Sequence, residues 1–248
     1  MLQPGETIAI EPGKQLPQTV NVRLPNADAT GEHAIPYMLF TPRDYTSDGK
    51  RWPLMLFLHG LGESGHGGDE LERVKIHGPA KLVESRPDFP FVVVTPQCPP
   101  PQGELKEVVP TAWQPDQLMQ LVDHVLARTH TDPTRVYVTG LSMGGYGTWR
   151  MVAAYPERFA AAVPICGGGE PSTMAASLRR VPIWAFHGAR DEVVPLRRSE
   201  EMVHAVRCAG GCVRLIVYPE AEHDSWTATY NNQAVYDWLL SHRGPLQR

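Results

Sequence analysis

The sequence predicts an α/β domain: a mostly parallel central sheet covered by helices on both faces. Three observations predict it. Short β-rich apolar runs alternate along the chain with segments of helical periodicity, the pattern of crossover connections between parallel strands. Most of those runs are continuously apolar, as strands buried on both faces should be. The length of 248 residues, 42% of them hydrophobic, suits one sizeable domain spanning residues 1–248.

The elements follow in order. Val20-Asn21-Val22-Arg23-Leu24 and Ile35-Pro36-Tyr37-Met38-Leu39-Phe40 are expected to pair as antiparallel edge strands within residues 1–45. Core strands are predicted at residues 53–58, 91–94, 136–138, 161–165, 183–186 and 213–218. Leu118, Leu121, Val122, Val125 and Leu126 recur at helical spacing after Pro115-Asp116, and the pattern stops before Asp132-Pro133. Further helices are predicted at residues 143–155, 199–208 and 232–240, and the Pro-rich residues 96–101 read as a loop.

The net charge of −4, with no long basic or acidic run, gives no electrostatic reason to expect nucleic acid or an anionic membrane as a partner. No apolar run is long enough to span a bilayer. The start, Met1-Leu2-Gln3-Pro4-Gly5-Glu6-Thr7, lacks the basic and apolar stretches of a secretory signal, so the cytoplasm is the default expectation, although a mature form without its signal would read the same. Cys98, Cys166, Cys208 and Cys212 show no C-x-x-C pairing, so no metal site is expected. Cys208 and Cys212, separated by Ala209-Gly210-Gly211, are expected as reduced thiols.

Chemistry enters at Gly140-Leu141-Ser142-Met143-Gly144, directly after the apolar run ending at Thr139. A strand, a tight turn and a helix would present Ser142 above the sheet, with flanking glycines where side chains have no room. A serine hydroxyl needs a base to take its proton and a third group to hold that base. Both candidates lie on loops after later strands: Asp191 in His187-Gly188-Ala189-Arg190-Asp191, and His223 in Pro219-Glu220-Ala221-Glu222-His223. His187 reads as structural; Glu192, Glu220, Glu222 and Asp224 read as solvated loop charges. Donors for a tetrahedral oxyanion are expected from the Met143 N–H and from the Leu61 N–H in His59-Gly60-Leu61-Gly62-Glu63.

With these strings the chain resembles the α/β-hydrolase superfamily over nearly its whole length. More narrowly, residues 35–42, 53–63, 95–99, 140–149 and 187–195 resemble the small esterases grouped with dienelactone hydrolases, feruloyl esterases and polyhydroxybutyrate depolymerases, in a subgroup labelled predicted peptidases or phospholipase/carboxylesterases. The resemblance implies a serine carboxylesterase (short-acyl or aromatic esters) acting through Ser142, His223 and Asp191 without metal or organic cofactor. Dienelactone hydrolases use a cysteine nucleophile, and Ser142 departs from that pattern.

Only residues 166–180 separate two late strands, leaving no room for a large cap, so an open site is expected, suited to a small-molecule or polymer-linked ester. The segment 98–110 is expected to form one wall. Trp113 and Trp226 are candidates to line the pocket and stack on an aromatic or sugar ring; alternatively, each packs its own loop. Trp149 reads as core. A peptidase using the same residues and a non-catalytic binding protein on this fold are the other two readings, and the oligomeric state is not legible.

Overall fold

Every residue of the run Trp52–Leu58 is buried in the computed structural model, which describes residues 7–23, 32–104 and 109–244. Successive side chains of a strand point to opposite faces, so such a run needs apolar cover on both. Leu54, Leu56 and Leu58 enter one hydrophobic core, and Met55 and Phe57 enter another.

The strands are β1 (Gln15–Arg23), β2 (Glu32–Phe40), β3 (Trp52–Leu58), β4 (Val92–Pro96), β5 (Thr131–Leu141), β6 (Ala161–Ile165), β7 (Ile183–Gly188) and β8 (Val213–Tyr218). They form one sheet in the order β1-β2-β4-β3-β5-β6-β7-β8. The β1–β2 and β2–β4 pairs are antiparallel, as expected of an edge, and the remaining pairs are parallel. The helices are α1 (Gly78–Leu82), α2 (Pro115–Arg128), α3 (Met143–Ala154), α4 (Pro171–Leu178), α5 (Arg197–Cys208), α6 (Trp226–Tyr230) and α7 (Gln233–Leu240). Residues of α2, α3, α4 and α5 join the core on one face, and residues of α1, α6 and α7 join the core on the other.

Differences from the predicted elements have local causes. β1 begins at Gln15, well before Val20, because an edge strand with half its positions exposed carries polar residues that mask its pattern. β5 begins at Thr131, where Trp52 pairs with it across a register shift. Helices α1 and α6 have 5 residues each, too few to repeat a periodic signal, and the eight-residue α4 buries only Leu178, so it shows no apolar stripe. Leu24, residues 1–6 of the amino terminus and residues 105–108 of the expected wall lie outside the described residues. Between β6 and β7 lies only α4, so no cap domain is inserted there. No helix among the described residues is long and apolar enough to cross a membrane.

The turn from β5 into α3 controls the carboxyl ends of the strands. Ser142 holds φ 53° and ψ −116°, a region that L-residues rarely occupy. Its N–H donates to the Ile165 carbonyl at 3.0 Å, tying the turn to the end of β6. The first turn of α3 then passes against the end of β3: a Cβ on Gly144 would stand 1.9 Å from the Leu58 carbonyl oxygen.

No side chain shift relieves a clash with backbone, so Gly144→Ala should destabilise the fold by about 3 kcal/mol or more. Gly62→Ala, with nothing within 4 Å of the added carbon, should stay within about 1 kcal/mol of the parent. Chemical denaturation of the two variants checks the contrast; equal stabilities would contradict the packing described.

Candidate active site

The elbow lifts Ser142 toward a loop that follows β8. His223 Nε2 lies 3.0 Å from Ser142 Oγ, and His223 Nδ1 lies 2.8 Å from Asp191 Oδ2. Three residues from three strand ends thus form one hydrogen-bonded series. Trp226 packs edge-on against the His223 ring, with centroids 5.3 Å apart, and meets His77 at 5.4 Å on its other side.

Asp191 is buried, and its second oxygen accepts the Val193 and Val194 amides at 2.9 and 2.8 Å. His187 Nε2 stands 3.2 Å from Asp191 Oδ2, while its Nδ1 faces Ser199 Oγ at 2.8 Å. Burial alone would raise the Asp191 pKa, but the hydrogen bonds from His187, His223 and the Val194 amide outweigh it and hold the carboxyl well below the usual range. The sequence alone reads His187 as structural. The ring does reach the Val194 carbonyl at 2.8 Å, and it also touches the carboxylate. Its place at the end of β7, four residues before Asp191, was the available signal.

Leu61 and Met143 each open a helical turn, the 3₁₀ turn Leu61–Glu63 and α3, where backbone N–H groups have no intrahelical acceptor. Glu63 braces the first turn: its buried carboxylate accepts the Gly60 amide at 2.8 Å. Desolvation raises the Glu63 pKa against the opposing effects of His77 and the backbone. Gln97, also buried, donates to the carbonyls of Glu63 and Glu70 at 3.0 and 2.7 Å. The Gln97 brace was not legible, because its partners lie 34 and 27 residues away, whereas the Glu63 contact falls within the loop motif itself.

A cavity of about 600 Å³ opens beside Ser142. Leu61, Tyr146, Met174 and Val193 line it, with Val109 to Thr111 from the expected wall segment. Trp113 is not among its lining residues. It is buried, T-shaped against His59 at 4.8 Å, and fills the space left by Gly147, where a Cβ would come within 2.6 Å of its ring. Trp149 is buried in the core.

One grouping of potential metal ligands occurs among the described residues: Cys166, Asp191 and His223, with ligand atoms within 4.8 Å of one another. His223 and Asp191 are already bonded to each other there, and burial pushes the Cys166 thiol up, which disfavours the thiolate that a metal needs. Cys166 Sγ instead accepts the Ser142 amide at 3.3 Å.

A family model described as the dienelactone hydrolase family matches residues 103–238. A thermostable esterase of known structure is similar at 33% identity and a TM-score of 0.70, covering 92% of this chain and 63% of its own. A bifunctional acetylxylan esterase/xylanase of Neocallimastix patriciarum is 26% identical over 192 residues, 75% of this chain and 26% of the relative. Poly(3-hydroxyalkanoate) depolymerase C of Paucimonas lemoignei is 53% identical over 51 residues, 21% of this chain and 12% of the relative. The chain therefore spans less than a third of the length of these two curated relatives.

His59 makes the loop around Leu61 sensitive to acid. Fully buried, it donates from Nδ1 to the Gly60 carbonyl at 2.6 Å and accepts the Cys98 amide on Nε2 at 3.0 Å. Burial lowers its pKa from 6.5 to about 4. Between those values the unfolded chain binds a proton that the folded one refuses, so stability is present above pH 6.5 and is lost as pH falls toward 4. The contribution is roughly 3 kcal/mol. Melting temperatures between pH 8 and pH 4 should fall less steeply for His59→Gln than for the parent; parallel curves would refute a buried neutral His59.

Proposed function

The chain belongs to the dienelactone hydrolase family, and from that premise we propose that it is a serine carboxylesterase working through an acyl-enzyme. The observation that carries this reading is His223, which bridges Ser142 Oγ at 3.0 Å and Asp191 Oδ2 at 2.8 Å. Ser142 Oγ attacks the ester carbonyl while its proton passes to His223 Nε2. Asp191 holds the Nδ1–H and favours the imidazolium that forms, and its low pKa keeps it ionised for that role. The Leu61 and Met143 amides receive the developing oxyanion. His223 then protonates the departing alcohol, and water deprotonated by His223 releases the acid and restores Ser142.

Cysteine is the nucleophile in the dienelactone hydrolases that give the family its name. Here the adjacent Cys166 is wholly buried with its thiol pushed up, which favours Ser142 in that role. The cavity beside Ser142, apolar on most of its wall, suits short-acyl or aromatic acids, with the alcohol side free to belong to a small molecule or a polymer. The names of the relatives, an acetylxylan esterase/xylanase and a poly(3-hydroxyalkanoate) depolymerase, support an ester as the bond cleaved. Trp226 is proposed to steady the His223 ring rather than to hold substrate.

In a p-nitrophenyl ester series run beside methyl ferulate and a peptide anilide, turnover should be confined to the esters, and Ser142→Ala should reduce kcat by ~10⁵-fold or more with an unchanged melting profile. Wild-type rates in that variant would remove Ser142 from the mechanism. Asp191→Asn should lower kcat by ~10⁴-fold, because the amide leaves His223 in the wrong tautomer. A loss of less than about tenfold would show that another group orients the imidazole.

A further inference from the structure

Trp226 stands directly beside His223, and the proposed mechanism does not say what holds the indole there. A buried indole N–H ordinarily finds an acceptor, yet Trp226 Nε1 is buried with no hydrogen-bond partner among the described residues. Packing alone therefore fixes its place. The indole rests on the core that includes Phe57 and Tyr230, and it meets two further rings. One is His223, with centroids 5.3 Å apart and planes at 87°; the other is His77, at 5.4 Å and 63°.

The fold keeps His77 in register with Trp226. Gly78, the next residue, takes φ 63°, and a Cβ on it would stand 2.5 Å from the Phe57 ring. Phe57 in turn meets Tyr230 of α6 edge-on at 5.7 Å. The start of α1 and the helix that Trp226 opens thus share one support in β3, and neither ring drifts without disturbing the core.

His77 also reaches toward the oxyanion loop. Its Nε2 lies 3.8 Å from Glu63 Oε1, while the other Glu63 oxygen accepts the Gly60 amide at 2.8 Å, next to Leu61. Burial penalises the Glu63 carboxylate, and the neighbouring His77 opposes that penalty. The contacts run continuously from the loop through Glu63, His77 and Trp226 to His223.

We propose that His77 is a positioning residue that backs Trp226 against the His223 imidazole and, through Glu63, keeps that imidazole aligned with the oxyanion loop. The proposal rests on the esterase reading and deepens it. Base and oxyanion donors act on one tetrahedral centre, so their separation must hold while the proton moves, and a misplacement of about 1 Å costs on the order of 100-fold. Neither His77 nor Glu63 lines the cavity beside Ser142, so the effect belongs to turnover rather than to binding.

Hydrolysis of p-nitrophenyl acetate provides the test. The His77 side chain is 31% exposed, so its replacement leaves the core in place. His77→Ala should lower kcat about tenfold or more with KM within about threefold of the parent, and His77→Phe, which keeps a ring on Trp226, should recover part of the loss. A residue that acts through another adds nothing once the other is gone. His77→Ala should therefore cost less than about twofold in a Trp226→Leu background, with Trp226→Met in its place if the Leu variant does not fold. Glu63→Gln keeps an oxygen for the Gly60 amide but removes the charge facing His77; its loss, about threefold or more, should likewise shrink beside His77→Ala. An unmoved kcat in His77→Ala, a loss carried by KM, or losses that multiply in full in either pair overturns the proposal.

A readout without substrate separates this inference from the esterase reading. The proton that His223 Nδ1 shares with Asp191 gives a far-downfield NMR signal while the ring is held, and it should broaden in His77→Ala through faster exchange with water. If the parent hydrolyses no ester, the esterase reading fails, while that broadening still supports the positioning role and identical spectra overturn it.

Discussion

The close passage of α3 beneath the end of β3 is the constraint on which the rest of the structure depends. With Gly144 lying against the Leu58 carbonyl, the helix start cannot move outward without breaking the contact or inward at all. Ser142 is therefore held in a backbone conformation that it would rarely choose, and its amide is taken by the neighbouring strand end. Once the serine is fixed, the distances to the β7 and β8 loops decide whether a base can reach it. The sheet sets those distances, since both loops leave strands held in parallel register.

Charge is distributed around this turn with little redundancy. Asp191 collects two backbone amides and two imidazoles, which is unusual support for one buried carboxylate. Glu63 is placed in the opposite condition: burial dominates, and its acidity is weakened. The two carboxylates thus serve the site differently, one as a permanent anion behind an imidazole and one as a hydrogen-bond brace for a loop. Arg150 completes the picture as a cation whose counter-charge the described residues do not supply.

Much of this arrangement was legible in the chain. β3, β6 and β7 are runs whose burial matches their composition, whereas β8, at the sheet edge, buries only Val213, and α2 shows its buried face at every turn. Ser142, Asp191 and His223 could be singled out because each follows a strand directly, so topology alone brings them near one another. What resisted reading depends on side-chain space rather than on pattern. Trp113 belongs to the core because Gly147 leaves it a slot on the far side of the elbow helix. The grip of Gln97 on two carbonyls and the isolation of Arg150 arise from residues distant in sequence, and neither leaves a local trace.

The pairing at the centre of the sheet has a kinetic meaning. Leu54 of β3 meets Val136 of β5, and the connection between them includes β4, which takes its place on the other side of β3. Contacts so far apart along the chain close large loops, and folds rich in them assemble slowly. Ser142 lies just past the last of those paired residues and acquires its neighbours from β6, β7 and β8 only as the second half of the sheet is laid down. The proposed nucleophile is thus a product of the finished topology: before the sheet closes, the hydroxyl is an ordinary serine in a glycine-rich segment.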